Sequence, residues 1–140
     1  MTETSHFVLH KQLRTDSLRV GRLSLCELRI VNDSRFSWCL LIPRIPDLVE
    51  LHDLPTAHRP TLFNEIEQLS KHLLANTTSD KINVAAFGNL VPQLHIHIIG
   101  RHSADPAWPN PVWTAGPGEN YTKADAEALI VGLRTTLDLT

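Results

Sequence analysis

The sequence holds a single methionine, a single tyrosine and two cysteines in 140 residues. Two thiols, Cys26 and Cys39, make no disulfide framework and read as small core residues inside strands. A run of about 18 apolar residues is missing, so no membrane-spanning helix is expected. The stretch Met1–His6 has neither a cationic n-region nor an apolar h-region. No secretory signal is therefore expected, and the cysteines are expected to stay reduced in the cytoplasm. An excess of basic charge is missing too. Lys and Arg number 13 against 15 Asp and Glu, a formal charge of −2. That excludes a broad face for duplex nucleic acid and leaves room for a small phosphate site. No internal repeat or low-complexity tract is present. What remains is 42% hydrophobic and 20% charged, an ordinary globular balance. A chain of this length buries roughly 70% of its extended surface, enough for a core without staples. Eight histidines are many for such a chain, and their placement is the first question.

Strand formers fill Leu25–Val31 and stop at the turn cluster Asn32-Asp33-Ser34. Trp38–Ile42 is a short apolar run closed by Pro43, and the two runs predict an antiparallel hairpin. A helix is predicted from about Thr56 to Asn76. Leu62, Ile66, Leu69 and Leu73 form one apolar stripe, with Phe63 and Leu74 alongside. Thr56 is read as its N-cap and Pro60 as a first-turn proline. Lys81–Phe87 and Gln93–Gly100 read as further strands. The segment 102–120, with four prolines and two tryptophans, is irregular. A last helix is predicted over 122–137, opened by the capping-box-like Thr-Lys-Ala-Asp and burying Ala126, Leu129, Ile130, Leu133 and Leu137. Strands, helix, strands, helix spell an α+β fold: one domain over 1–140, an antiparallel sheet of about five strands and two main helices. Its core spans about 18–101.

The chemistry concentrates in Gln93-Leu94-His95-Ile96-His97-Ile98-Ile99. Side chains of a strand alternate faces, so Leu94, Ile96 and Ile98 share a core face, expected to meet the 56–76 helix. Gln93, His95 and His97 share the other, spaced ~6.6–6.8 Å along the strand, a row able to surround one phosphate-sized group. Imidazoles serve as base, acid or nucleophile near neutral pH. Two plainer readings stay open. The row can be a solvated strand face that happens to carry two histidines. It can also be half of a metal site, with His52, His102 or Asp33 as distant further ligands that no spacing rule selects.

The motif resembles the histidine-triad (HIT) signature, His-φ-His-φ-His-φ-φ with φ apolar. Ile30-Val31-Asn32-Asp33, Leu41-Ile42-Pro43-Arg44, Leu51-His52-Asp53-Leu54, the amphipathic helix and Gly88-Asn89-Leu90-Val91 stand in HIT-like order. The likeness covers roughly Cys26 to Arg101. The tail Ala107-Trp108-Pro109-Asn110-Pro111-Val112-Trp113 is similar to that of bacterial HIT-like hydrolases of the diadenosine-tetraphosphate hydrolase kind. The departures are Gln93, where the first triad histidine belongs, and Asn89, where the family has Gln. The loop before Gly88 is also shorter than in related hydrolases.

The resemblance implies a HIT-like fold and a nucleotide hydrolase or nucleotidyl transferase. His95 is then the nucleophile that attacks the α-phosphorus of a nucleoside phosphate or dinucleoside polyphosphate, its tautomer fixed by a backbone carbonyl within the motif. His97 and the amides of Gly88, Asn89 and Leu90 hold non-bridging oxygens. Gln93 orients substrate but carries no proton. Asn32 and Asp33 contact the ribose, unless they are simply turn residues. No cofactor is required; a divalent metal is possible but not indicated. The partners implied are the nucleotide and a second copy of the chain, with no membrane. A nucleotide-binding module without turnover and a metal-binding protein are the alternatives. Trp38 stands where the family often has a phosphate-side histidine and reads first as packing. Trp108 and Trp113 read as anchors of the tail or, alternatively, as stacking on a base or covering the partner's cleft. His52 reads as a cap, and His6, His10, His58 and His72 as surface residues. Arg44 and Arg101 add potential near the phosphates or are plain surface charge.

Overall fold

A computed structural model describes residues 6–139. Met1–Ser5, read above for a targeting signal, and Thr140 lie outside the described residues. The chain runs α1 (Lys11–Asp16), β1 (Ser17–Arg22), β2 (Cys26–Val31), β3 (Ser37–Pro43), α2 (Arg59–Asn76), β4 (Lys81–Ala85), β5 (Ile96–Arg101) and α3 (Lys123–Thr136). Short 3-10 turns sit at Leu51–Asp53, Thr56–His58 and Val112–Ala115. The strands make one sheet in the order β1-β2-β3-β5-β4, antiparallel at every pairing. This is the expected α+β fold with five strands.

The two faces of the sheet are covered differently, and that difference makes the site. On one face Cys39 and Leu41 of β3 and Ile96 and Ile98 of β5 pack with Leu62, Leu69 and Leu73 of α2 and Leu133 of α3. Leu94 joins them, so the predicted core face meets the predicted helix. The other face is covered in two pieces. Leu9 and Leu13 lie over Leu40 and Ile42. Ala107 and Val112 of the tail lie over Phe36 and Ile99. Between these coverings the sheet stays open to a cleft. Among the described residues no helix is long and apolar enough to cross a membrane.

Several expectations are corrected. β1 and the six-residue α1 precede the predicted hairpin. The last motif strand starts at Ile96 rather than Gln93, because the Leu94 N–H leaves the sheet ladder and donates to the Leu48 carbonyl at 2.8 Å. β4 ends at Ala85, two residues early. Thr56 caps no α-helix: it opens a 3-10 turn, and α2 begins at Arg59 with Pro60 in its first turn. Phe63 and Leu74 point to solvent, whereas Glu65 is buried. Its carboxylate accepts the N–H groups of Leu25 and Cys26, each at 2.9 Å, which tethers α2 to the start of β2. Leu129 is largely exposed on α3. Asp53, not His52, closes the turn at Leu51–Asp53 by accepting the Glu50 N–H. Arg101 is not surface charge. It is fully buried, with its guanidinium on the Asp105 carboxylate at 2.7 and 3.0 Å, Asn83 at 2.9 Å and the Asn110 carbonyl at 2.7 Å. Arg44 is spent on the Leu23 and Ser24 carbonyls.

Candidate active site

β3 and β5 pair with Leu40 opposite His97 and Trp38 opposite Ile99. Trp38 is therefore the diagonal neighbour of His97 on the open face, within reach of a long side chain. The indole Nε1–H donates to His97 Nδ1 at 2.9 Å. An indole nitrogen only donates, so Nδ1 is the bare nitrogen and the ring proton sits on Nε2. His95, just ahead of β5, shows the reverse. Its Nδ1 lies 2.7 Å from the Gln93 carbonyl. A carbonyl only accepts, so Nδ1 carries the proton and the neutral ring keeps its lone pair on Nε2. The two rings stand 5.0 Å apart at 66°.

Both histidines are only 7% exposed. The solvated-face reading thus fails for this pair. Burial, reinforced by the neighbouring His95, pushes the His97 pKa down to about 3. His97 is neutral at physiological pH, a hydrogen-bond donor through Nε2 rather than a cation.

His95 and His97 line a cleft of about 740 Å³ together with Trp38, Trp113, the loop Gly88-Asn89-Leu90 and His10. The sequence-predicted residues His95, His97, Gly88, Asn89 and Leu90 are thus brought together. Gly88 turns the loop at φ +65°, a conformation that favours glycine. Leu90 is 95% exposed at the rim. Trp113 stands edge-on to His97, centroids 4.9 Å apart, and 4.3 Å from Phe87.

Gln93 is placed differently from the expectation. Its Oε1 accepts the His10 N–H at 2.8 Å and its Nε2 donates to the Val8 carbonyl at 2.9 Å. Both ends of the amide are spent on the amino-terminal segment, so the expected row of three heads is a pair. Asn32 and Asp33 lie in an adjoining pocket of about 370 Å³ that shares Trp38 and Trp113 with the cleft. Asn32 Oδ1 accepts the Tyr121 N–H at 2.9 Å. Asp33 binds Arg35 at 2.9 and 3.0 Å. Burial raises its pKa, but the hydrogen bonds from Arg35 outweigh this and hold it below its ordinary value. Arg35 also grips the Ala115 and Gly116 carbonyls. The pair that resembles a ribose contact thus fastens the tail.

The family model of the HIT domain matches residues 12–104. The chain belongs to the HIT family. A histidine triad protein of Bradyrhizobium japonicum is 39% identical, with 95% of this chain and 99% of that one covered at a TM-score of 0.91. One from Marinobacter aquaeolei VT8 is 37% identical, covering 96% and 98% at 0.92. One from Sinorhizobium meliloti 1021 is 34% identical, covering 93% and 96% at 0.90. No curated protein matches the chain. Membership in the HIT family gives it that family's nucleotide-binding or hydrolytic role.

Two residues of this HIT site, Trp38 and His10, escaped the sequence reading. Trp38 was expected to pack, and it bonds His97. Trp113, read either as a tail anchor or as a residue stacking on a base, walls the cleft. Trp108 keeps the anchoring role, with the Arg101 guanidinium 5.8 Å over its ring. His10 was expected on the surface, and it lines the cleft. The alternation of strand faces puts Trp38 on the same face as Leu40, a signal that adds to its family position. Among the described residues no three His, Cys, Asp or Glu side chains are grouped to hold a metal ion. His52 and Asp33 are turned to Asp53 and Arg35 instead.

Proposed function

We propose that this HIT protein is a nucleotide hydrolase or nucleotidyl transferase that works through His95. The observation carrying the reading is the pair of opposite tautomers. His95 Nε2 has the free lone pair, and His97 Nε2 has the free N–H. In the proposed reaction His95 Nε2 forms a bond to the α-phosphorus of a nucleoside phosphate. The bond from phosphorus to the leaving group breaks, and the leaving group departs with that electron pair and takes a proton from solvent. Water then attacks the same phosphorus and gives up a proton to solvent, the bond from phosphorus to His95 Nε2 breaks with its electron pair returning to the ring, and the nucleoside monophosphate leaves. His97 donates a hydrogen bond to a non-bridging oxygen where charge gathers, beside the amides of the 88–90 loop. Trp113 and Phe87 offer aromatic faces to a base. Gln93 takes no part in proton transfer. Asn32 and Asp33 border the neighbouring pocket, which suits the ribose side of the ligand.

The test is incubation with an adenylyl substrate followed by intact-mass measurement. A nucleotidyl adduct on the wild-type chain, lost in His95→Ala, is expected; wild-type turnover in His95→Ala overturns the assignment. A second reading has one observation in its favour: with Gln93 withdrawn from the cleft, the site binds nucleotide and does not turn it over. Its signature is His95→Ala changing affinity alone. The reaction as proposed requires no metal, so chelator-treated protein is expected to keep its adduct formation. The protein works in the cytoplasm as one HIT domain and as a homodimer. β4 is an edge strand of five residues with Val84 exposed, an open row of backbone groups that a second copy can cover.

A further inference from the structure

The position that resembles the first triad histidine holds a residue whose side chain never reaches the cleft. Gln93 instead clips the backbone of Val8 and His10, from 2.8 and 2.9 Å. The clip lies two residues before His95 and brings His10 to the wall of the same cleft. There the His10 ring is half-buried and already committed on one side. Its Nδ1 accepts the Gln12 N–H at 3.0 Å, capping α1. A backbone N–H only donates, so Nδ1 is bare and the proton of the neutral ring sits on Nε2. The nitrogen left for a ligand is thus a donor, like that of His97.

The wall has a direction. α1 carries the chain from His10 to Asp16, about 9 Å along the axis at 1.5 Å per residue. Asp16 lines both the cleft and the adjoining pocket of Asn32 and Asp33. Its carboxylate accepts from Gln12 Nε2 at 2.9 Å. The donor end of the wall shares the cleft with His95, and the acidic end also borders the pocket of Asn32 and Asp33. An anionic group fits the first end and is repelled from the second.

We propose that His10 is a further substrate-binding residue, donating its Nε2–H to the phosphate group of a nucleoside monophosphate moiety seated at His95. Gln93 is the positioning residue that holds it there. The inference rests on the nucleotide reading above and adds the residue that senses the phosphate from outside the motif.

Two variants separate the donor from the clip. His10→Asn keeps a side-chain acceptor for the Gln12 N–H and keeps its own backbone N–H on Gln93. It replaces the imidazole by a shorter amide and so removes the Nε2–H from the cleft. Gln93→Leu removes both ends of the clip. Titration calorimetry with adenosine monophosphate and with adenosine reads the difference. His10→Asn is expected to weaken the monophosphate about tenfold, as loss of one hydrogen bond to a charged group does, and to leave adenosine unchanged. Gln93→Leu is expected to show the same loss. It also loses hydrogen-exchange protection at the residue 10 amide, which His10→Asn retains. Unchanged monophosphate affinity in His10→Asn overturns the proposal, and so does equal weakening of both ligands. A wild-type chain that neither binds the monophosphate nor forms an adduct overturns the nucleotide reading itself. Wild-type adduct formation with an unaltered His10→Asn overturns only the role of His10.

Discussion

Two imidazoles 5.0 Å apart carry their ring protons on opposite nitrogens, and each arrangement hangs on one hydrogen bond. The partner of His95 is a backbone carbonyl, which mutation cannot remove. The partner of His97 is a side chain, and Trp38→Phe removes it while keeping an aromatic ring in place. Without the indole donor the His97 ring is free to take either tautomer. The kcat on an adenylyl substrate is expected to fall about tenfold, the scale of one lost hydrogen bond, with the fold retained by circular dichroism. The burial and the neighbouring His95 that push the His97 pKa down both stay in place in this variant, so its NMR titration should remain well below the ordinary imidazole range. Acid stability follows with a definite sign. Between the ordinary imidazole pKa of 6.5 and the folded value of about 3, the unfolded chain takes up a proton that the folded chain refuses. This contribution is complete above about pH 6.5 and is lost as the pH falls toward 3, several kcal/mol in all. Urea midpoints of wild type and His97→Gln at pH 7 and pH 4.5 should converge on acidification if His97 carries this dependence.

Elements are joined to one another by buried carboxylates as much as by apolar surface. Glu65 satisfies two main-chain N–H groups at the head of β2. Glu65→Leu leaves both unpaired, and denaturant unfolding should show a loss of about 3 kcal/mol. The folded remainder should keep its KM, because α2 lies behind the sheet. Asp105 anchors the tail through Arg101. Asp105→Ala leaves a buried guanidinium without its counter-charge, a loss of about 3–5 kcal/mol. Here KM should rise as well, since the same tail holds Trp113 against His97. The contrast between these variants shows which elements the sequence could reveal. The start of α3 was readable because its cap is local: the Asp125 N–H donates to Thr122 Oγ1 three residues back. The core face of β5 and the stripe on α2 were readable from period alone, and so was the meeting of His95 with His97. α1 is six residues long, too short for a helical stripe to register. Glu65 gives no sign of burial in the sequence because the N–H groups that it satisfies stand 40 and 39 residues away. Arg101, read as potential near the phosphates or as plain surface charge, turns to Asp105 four residues on. Gln93 read as a substrate ligand for the same reason that hides Glu65: its partners stand 83 and 85 residues away.

For the whole molecule, the open edge at β4 makes a statement about mass. Light scattering at micromolar concentration should give twice the 15.7 kDa of one chain, and a charged residue at Val84 should shift the protein toward monomer. The assembly of the cleft bears on time as well as on space. The hairpin of β2 and β3 closes over a few residues, and α2 forms from its own neighbours. The bonds that enclose the cleft are of another order. Gln93 reaches back to Val8 and His10, Arg35 reaches forward to Ala115 and Gly116, and Asn32 waits for Tyr121, each across 80 to 89 residues. Long closures are slow to find, and their gain arrives only when the intervening sheet already holds their ends together. Both coverings of the open face are therefore late events, and the three tryptophans sit in or beside them. On refolding by stopped flow, far-ultraviolet ellipticity should recover first and tryptophan fluorescence after it, with affinity for adenosine monophosphate returning on the slower phase. A newly made chain thus has its sheet before it has its pocket, and it gains the capacity to bind only after the tail has come back across strands laid down long before.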